Sequence, residues 1–308
     1  MKVVIINKKA LINILFYMEL LVFCILLIYF FYDTNDSKQT ISPVNLNQAL
    51  QIDLNGDGKK ESLQLLNSQN KIDFNIISSN DNFYLSNSIE DKILFSNNNH
   101  WQPKVFLNDI SRDNIPELII QGSKNNKPVS YIFHWNKKNF DLVYSSTNNI
   151  LGILDSKNSK TPQCFSVSSS EGSASLNSFM LINNNTLDTS KDNLSIPSFD
   201  SVTKFIDIVQ LPYVFDDLPD IFTSTIDKRN LSLLWTLDKD NYTYSFQNGF
   251  FYDYKWTDTY EPSSLRWRLS FEKSSFKGSQ NDKNEFILLL DLEKINDSYK
   301  INSIQKIK

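Results

Sequence analysis

Hydrophobic and polar residues follow three different patterns along this chain. Residues 10–32 are almost continuously apolar, and residues 48–182 contain short apolar or alternating runs separated by turn residues. In residues 201–308 the apolar residues are first spaced three or four apart and then alternate with polar residues over long stretches. Spacing of three to four is typical of helices and alternation is typical of strands. The pattern therefore predicts an apolar span, a mainly β region and a region of helices followed by strands.

The apolar run at 10–32 is long enough to cross a hydrocarbon core of about 30 Å as a helix. Lysines precede it and aspartates follow it, at Lys2, Lys8, Lys9, Asp33 and Asp36. The positive-inside rule then predicts a cytoplasmic N-terminus and a single-pass cell-membrane protein with its bulk outside. A cleavable signal peptide is the alternative, although the run is longer than the usual roughly 7 to 15 residues and no small-residue cleavage site ends it.

Two polar stretches separate the remaining regions. Residues 33–47 carry Pro43 and are typical of a linker, as are residues 183–200. The predicted organisation is a cytoplasmic tail at 1–9, a transmembrane helix at 10–32, a linker at 33–47, a β domain at 48–182, a linker at 183–200 and an α+β domain at 201–308.

The pattern in residues 201–308 predicts helices first and antiparallel strands afterwards, which is an α+β arrangement. Three helices are expected in the runs VTKFIDIV, DDLPDIFTS and DKRNLSLLWTL, and four strands at 242–256, 265–271, 285–293 and 299–307. Aromatic residues occupy most even positions of 242–256, so we expect them on one face of a strand, with a bulge or bend at Asn248 and Gly249.

Composition excludes some classes of function. The formal net charge of -4 comes without a long basic run, which argues against a nucleic-acid partner. Of the two cysteines, Cys24 lies in the apolar run, so the part that follows cannot form an internal disulfide. His100 and His134 each stand beside a tryptophan and away from any nucleophile motif, so the sequence predicts no catalytic set.

The clearest chemical motif is DLNGDGKKE at 53–61, in which oxygen-bearing side chains stand at positions 1, 3, 5 and 9 and glycine at position 6. Ca²⁺ prefers six to eight oxygen ligands, and glycine permits the turn. The predicted calcium ligands are Asp53, Asn55, Asp57 and Glu61 through their side chains and Lys59 through its carbonyl. The alternative is a pair of hairpin turns at Asn55-Gly56 and Asp57-Gly58.

The same spacing recurs in DISRDNIPE at 109–117, with Asn114 in the glycine position. The predicted ligands there are Asp109, Ser111, Asp113 and Glu117, with the carbonyl of Ile115. In both copies the ninth residue opens an apolar run, which predicts that each loop leads into a strand. A third copy, DSKNSKTPQ at 155–163, keeps the first aspartate and is expected to bind no metal.

These loops resemble those of FG-GAP or VCBS-type repeats, which occur in integrin-like β-propellers. The resemblance covers residues 46–182, and it implies strands linked by calcium loops. This length supplies about three such units, so we expect a small repeat-derived β domain. The region 201–308 resembles the NTF2-like fold in the order of its elements. That resemblance implies a pocket or partner surface lined by Tyr252, Tyr254, Trp256 and Trp267, and the alternative is a plain core covered by helices.

Together these observations predict a membrane-anchored, extracytoplasmic, calcium-binding interaction or scaffolding protein and not an enzyme. Residues 10–32 would contact the membrane, and the partner would be a protein or an envelope polymer. The alternative is an envelope enzyme with a carboxylate site in the C-terminal domain. That site would need the pair Asp216 and Asp217, or Asp253 and Glu261, to converge with a raised pKa.

Overall fold

The computed structural model of this chain describes residues 16–22, 43–46, 48–68, 70–79, 81–155, 161–182, 184–214, 217–277 and 283–307. The chain divides into two units, residues 1–40 and 41–308. In the first unit, residues 16–22 are helical. All strands and the helices described below belong to the second unit.

Within the described residues, no helix combines the length and the apolar character needed to cross a membrane. The described part of the predicted span is residues 16–22, which are helical. The rest of the predicted span and the predicted tail at 1–9 lie outside the described residues. This finding contradicts the predicted transmembrane helix and the predicted single-pass membrane localisation.

Three consecutive four-stranded antiparallel meanders follow from residue 50. Meander I contains β1 (Leu50–Ile52), β2 (Glu61–Asn67), β3 (Lys71–Ile77) and β4 (Asn82–Tyr84), with β5 (Phe95–Ser96) also paired to β3. Meander II contains β6 (Lys104–Asn108), β7 (Glu117–Lys124), β8 (Lys127–Trp135) and β9 (Phe140–Ser146). Meander III contains β10 (Ile150–Leu154), β11 (Gln163–Val167), β12 (Asn177–Ile182) and β13 (Asn185–Asp188). Short 3-10 helices lie at Leu85–Ser88 and Gly172–Ser175.

Two helices and four long strands complete the second unit. These are α1 (Phe199–Gln210), α2 (Lys228–Trp235), β14 (Tyr242–Trp256), β15 (Pro262–Ser275), β16 (Lys283–Ile295) and β17 (Ser298–Ile307). Strand β14 pairs in parallel with β10, so meander III and the four long strands form one eight-stranded sheet. One sheet therefore contains strands from both sides of the predicted linker at 183–200.

The three sheets stack face to face, with a helical layer on the last. Leu63 and Phe74 of meander I pack with Phe133 of meander II in one core. The opposite face of meander II, including Ile119, packs with Phe250 of the eight-stranded sheet in a second core. Strand β7 is buried on both faces because it lies in the middle of this stack, which accounts for the consecutive apolar residues at 118–120.

The far face of the eight-stranded sheet is covered by the helices. Helix α1 forms because apolar residues recur three or four apart, and it buries Val202, Phe205 and Val209 against the sheet. Its carboxyl end is capped by the buried Lys239, whose Nζ donates hydrogen bonds to the carbonyls of Ile208 (2.7 Å) and Leu211 (2.8 Å). Helix α2 begins at an Asp227 cap.

A bulge in β14 separates its aromatic residues onto two faces. The register with β15 shifts between Phe246 and Asn248, which confirms the irregularity predicted at this point. Before the shift, Tyr244 faces the helical layer, and after it Phe250 and Tyr252 face meander II. The expectation that the even-numbered aromatic residues share one face is wrong, because one extra residue reverses the alternation.

The predicted fold class is corrected by these elements. The described chain is mainly β, and where residues 217–224 of the run DDLPDIFTS are described they form turns and an isolated bridge at Phe222. The predicted three-helix α+β domain therefore has two helices in the described residues, and most of its chain is in strands of the shared sheet. Pro219 within that run explains the missing helix, since proline interrupts helical hydrogen bonding.

Candidate functional site

Each of the three acidic loops joins the first strand of a meander to the second strand. Loop 1 (residues 53–60) joins β1 to β2, and loop 2 (residues 109–116) joins β6 to β7. Loop 3 (residues 155–162) joins β10 to β11, and its residues 156–160 lie outside the described part. The ninth residue of the first two sequence frames opens the second strand, as predicted, at Glu61 and Glu117, and Gln163 does the same in the third.

Loops 1 and 2 share one backbone conformation. The fourth and sixth residues have positive φ in both loops, at 76° and 81° for Gly56 and Gly58 and at 64° and 68° for Arg112 and Asn114. Glycine and asparagine tolerate this left-handed region, whereas arginine adopts it at a cost. The repetition at equivalent positions shows that the two loops are the same structural unit.

The ninth residue holds each loop closed through the same hydrogen bond. The backbone N–H of Leu54 donates to Oε2 of Glu61 at 2.7 Å, and the N–H of Ile110 donates to Oε2 of Glu117 at 2.7 Å. Both carboxylates are almost fully buried, with relative exposures of 2% and 0%. Burial raises the pKa of Glu61, the Leu54 amide opposes that rise, and the nearby Asp53 and Asp57 add to it.

The other predicted ligands of loop 1 accept hydrogen bonds from the loop itself. Asp53 accepts from the N–H groups of Gly56 (2.7 Å) and Gly58 (2.9 Å). Asn55 accepts from the N–H of Asp57 at 2.8 Å and donates its side-chain amide to Glu61 Oε1 at 2.9 Å. The N–H of Lys59 donates to Asp57 Oδ1 at 2.8 Å. The side chains that were predicted to bind calcium thus stabilise the turn directly.

Loop 2 forms a similar network, although some of its donors stand at other positions of the loop. Asp109 accepts from the N–H groups of Asp113 and Asn114, both at 3.1 Å, and Asp113 accepts from the N–H of Ile115 at 2.9 Å. The N–H of Ser111 donates to Glu117 Oε2 at 3.3 Å. The Ser111 hydroxyl is buried and has no hydrogen-bond partner within the described residues, so it does not replace the Asn55 side chain of loop 1.

The described part of the chain contains no group of three or more His, Cys, Asp or Glu side chains that could hold a metal ion. In loop 1 the carboxylates of Asp53, Asp57 and Glu61 each accept a hydrogen bond from a backbone amide. This finding contradicts the classification of the protein as calcium-binding. The assignment of individual residues as ligands stays a prediction, and the hydrogen bonds give the same side chains a structural role.

His134 completes loop 2, and the sequence analysis missed this role. Its Nδ1 lies 2.7 Å from Glu117 Oε1, and its Nε2 lies 3.9 Å from Asp113 Oδ2. The hydrogen bond with Glu117 raises the pKa of His134 against the opposing effect of burial. The pairing of Lys124 with Lys127 fixes the β7–β8 register, and counting back along it places Glu117 opposite His134. The strand register was therefore the sequence signal that could have placed His134 next to Glu117.

Loop 1, loop 2 and Asp155 at the start of loop 3 contact one another in a row. A Cβ atom at Gly56 in loop 1 would lie 2.9 Å from the Ile115 side chain of loop 2. The Arg112 guanidinium of loop 2 forms an ion pair with Asp155 of loop 3. The N–H of Asp155 then donates to Oδ1 of Asp253 in β14 at 2.7 Å. We call loop 1, loop 2 and Asp155 together the loop row.

Neither the family models nor the curated proteins with which this chain was compared match it. The resemblance to FG-GAP or VCBS repeats therefore stays a prediction that rests on the loops themselves.

The predicted acid pairs of the C-terminal region do not form a site in the described residues. Asp253 is fully buried, and its carboxylate accepts hydrogen bonds from Asp155 and from Trp256 Nε1 (2.8 Å). Burial raises its pKa, while both hydrogen bonds oppose the rise. Glu261 is exposed and pairs with Lys294 at 3.2 Å. Asp217 is exposed, and Asp216 lies outside the described residues.

The predicted aromatic pocket is divided between two cores. Trp267 is fully buried, packs against the helical layer and stacks on Phe251 at 4.4 Å between ring centroids. Tyr252 and Tyr254 lie on the opposite face, in the core shared with meander II. These side chains fill packing layers and do not line one common cavity.

Proposed function

We propose that this chain is an interaction protein whose loop row forms a rigid polar surface for a protein partner. The observation that carries the proposal is the continuous series of contacts through the loops, from Gly56 and Ile115 to Arg112 and Asp155. Loops held by internal hydrogen bonds lose little conformational freedom on binding. That loss otherwise costs about 0.5–1.5 kcal/mol for each flexible side chain that becomes ordered.

The charges on the loop row support a protein partner of mixed charge. Asp57, Lys59 and Lys60 are exposed in loop 1, and Arg112 and Asp113 are exposed in loop 2. Both signs are present, so the surface does not favour a polyanion or a polycation. Exposed charges of this kind contribute more to partner selection and association rate than to affinity.

Site-specific photo-crosslinking in the source cells tests this proposal. A photoreactive residue at Lys59 or Lys60 should give a discrete protein adduct. The matched control is Lys127, which is exposed at the opposite end of β7 and β8. Discrete adducts at Lys127 and none at the loop positions would contradict the proposal, as would Lys59 adducts that are unaffected when Arg112 of loop 2 is changed to Glu.

The repeated geometry also supports the interpretation of residues 46–182 as about three repeats of the FG-GAP or VCBS kind. If loops 1 and 2 are copies of one unit, each should fold in the place of the other. We expect replacement of residues 53–61 by the sequence of residues 109–117 to leave a cooperatively folded protein. A chimaera that unfolds without a cooperative transition would contradict this interpretation.

A further inference from the structure

A cavity of about 490 Å³ lies where meander III meets the long strands. Its wall comes from the end of β11, from residues 195–201 leading into α1, and from the ends of β15, β16 and β17. We call it the α1 cavity. Apolar side chains form much of its wall, at Val167, Leu176, Ile196, Phe199, Pro262 and Tyr299. A pocket with an apolar wall and a few polar groups is the usual form of a ligand site.

Hydrogen bonds between the walls keep the α1 cavity open in a defined shape. The Tyr299 hydroxyl donates to the carbonyl of Pro262 at 2.5 Å, and the Ser201 hydroxyl donates to the carbonyl of Tyr299 at 2.5 Å. Burial raises the pKa of Tyr299 to about 12, so this hydroxyl remains a donor at neutral pH. The cavity is therefore formed before any ligand binds.

The backbone of Ser198 is strained where it lines the α1 cavity. Its φ of 72° and ψ of -3° are left-handed, which is uncommon for serine. The indole Nε1–H of Trp267 donates to the Ser198 hydroxyl at 2.9 Å and fixes this residue at the start of α1. Trp267 is fully buried, so its N–H reports on the cavity wall from inside the core.

The rim of the α1 cavity is negatively charged. It carries Asp200, Glu261 and Asp297, and the single basic group, Lys294, pairs with Glu261 at 3.2 Å. Asp200 and Asp297 are exposed and form no ion pair with any described residue. An apolar interior with an acidic rim is complementary to a ligand in which an apolar side chain lies next to a basic group.

We propose that the α1 cavity binds a partner polypeptide in which a large apolar side chain is followed by a basic residue. The apolar side chain enters between Ile196 and Tyr299, and the basic residue meets Asp200 and Asp297 at the rim. This inference rests on the proposed function as an interaction protein. It concerns a surface separate from the loop row.

Nuclear magnetic resonance of the ¹⁵N-labelled full chain, observing the assigned Trp267 indole N–H, tests this inference. The probes are acetyl-Leu-Leu-Lys-Lys-amide and its matched control acetyl-Leu-Leu-Glu-Glu-amide. We expect the lysine peptide to shift this resonance saturably and the glutamate peptide to bind at least about tenfold more weakly. The double variant Asp200→Asn, Asp297→Asn should weaken binding of the lysine peptide at least about threefold. The expected effect is modest because exposed ion pairs are individually weak.

Two further variants separate specific binding from adsorption. Ser298→Trp places a large side chain at the rim and should abolish the shift, whereas Asp81→Asn in meander I should leave it unchanged. Equal binding of both peptides, or a shift that persists in Ser298→Trp, would overturn the inference. If the wild-type chain does not bind the lysine peptide but still forms crosslinks at Lys59, only the proposal for the α1 cavity is rejected. If it binds the peptide but forms no crosslinks, only the proposal for the loop row is rejected.

Discussion

Removing the buried carboxylate of Glu117 should destabilise the protein more than any other single change in the loop row. Glu117 accepts hydrogen bonds from the N–H groups of Ile110 (2.7 Å) and Ser111 (3.3 Å) and pairs with His134 at 2.7 Å. Its side chain is fully buried. In Glu117→Ala the Ser111 N–H and His134 lose this acceptor, and the Ile110 N–H keeps only the Asn108 carbonyl at 3.0 Å.

The expected loss follows from those contacts. An unsatisfied buried donor costs about 1–3 kcal/mol, and breaking a buried charge pair by removing one partner costs about 3–5 kcal/mol. The contributions overlap, so we expect Glu117→Ala to lower the free energy of unfolding by about 3–5 kcal/mol. Glu117→Gln keeps an oxygen for the backbone amides and should cost about 1–2 kcal/mol. Glu61→Ala loses one backbone donor and the Asn55 amide, so about 1–3 kcal/mol is expected.

Urea unfolding of the full chain measures these differences, with the wild type as reference. The unfolding curves are recorded once in EDTA and once with excess calcium. We expect the order Glu117→Ala, then Glu61→Ala, then Glu117→Gln in EDTA. A loss of stability that appears with calcium and vanishes in EDTA would refute the hydrogen-bond account of these carboxylates, because the donors are present under both conditions.

Three further changes test separate parts of the structure. Gly152→Ala should cost about 3 kcal/mol in urea unfolding, since its Cβ would lie 2.1 Å from the Phe251 ring, whereas Gly58→Ala, with open space around it and φ of 81°, should cost about 1 kcal/mol. Arg112→Ala should cost less than about 1 kcal/mol, because that side chain is 40% exposed. Burial raises the pKa of Asp253, so its ionised form destabilises the fold, and lowering the pH from neutral to about 4 should stabilise the wild type relative to Asp253→Asn.

The strands of the meanders could be predicted from sequence because their alternation and turn residues are local signals. The run KIDFNII became β3, and the ninth residue of each loop opened a strand as its spacing predicted. Helix α1 followed from apolar spacing in the same way. In each case the residues that determine the element lie within the element itself.

The distribution of side chains between the cores could not be predicted because it depends on one extra residue and on distant strands. The bulge after Phe246 reverses the faces of β14, and the parallel pairing of β10 with β14 joins segments that are far apart in sequence. The apolar run at 10–32 predicted a membrane span from its length and composition, whereas no helix among the described residues has the length and apolar character to form one.

The acidic residues of the candidate site could be predicted from the sequence, but the groups that they contact could not. Spacing alone identified Asp53, Glu61 and Glu117, but it indicated calcium because a row of oxygen atoms suits either a cation or backbone amides. The choice depends on where the amides point, and the left-handed residues at positions 4 and 6 turn them toward the carboxylates. His134 entered the site through strand register, which spacing within one loop does not reveal.

Hydrogen exchange of the backbone amides of Leu54 and Ile110 tests the central claim most directly. Each amide donates to the buried ninth residue of its own loop. We predict that both exchange in EDTA as slowly as the amides of neighbouring strands, and that each exchanges faster in the alanine variant of its own glutamate while the other keeps its protection. Rapid exchange at both amides in the wild type would contradict the account.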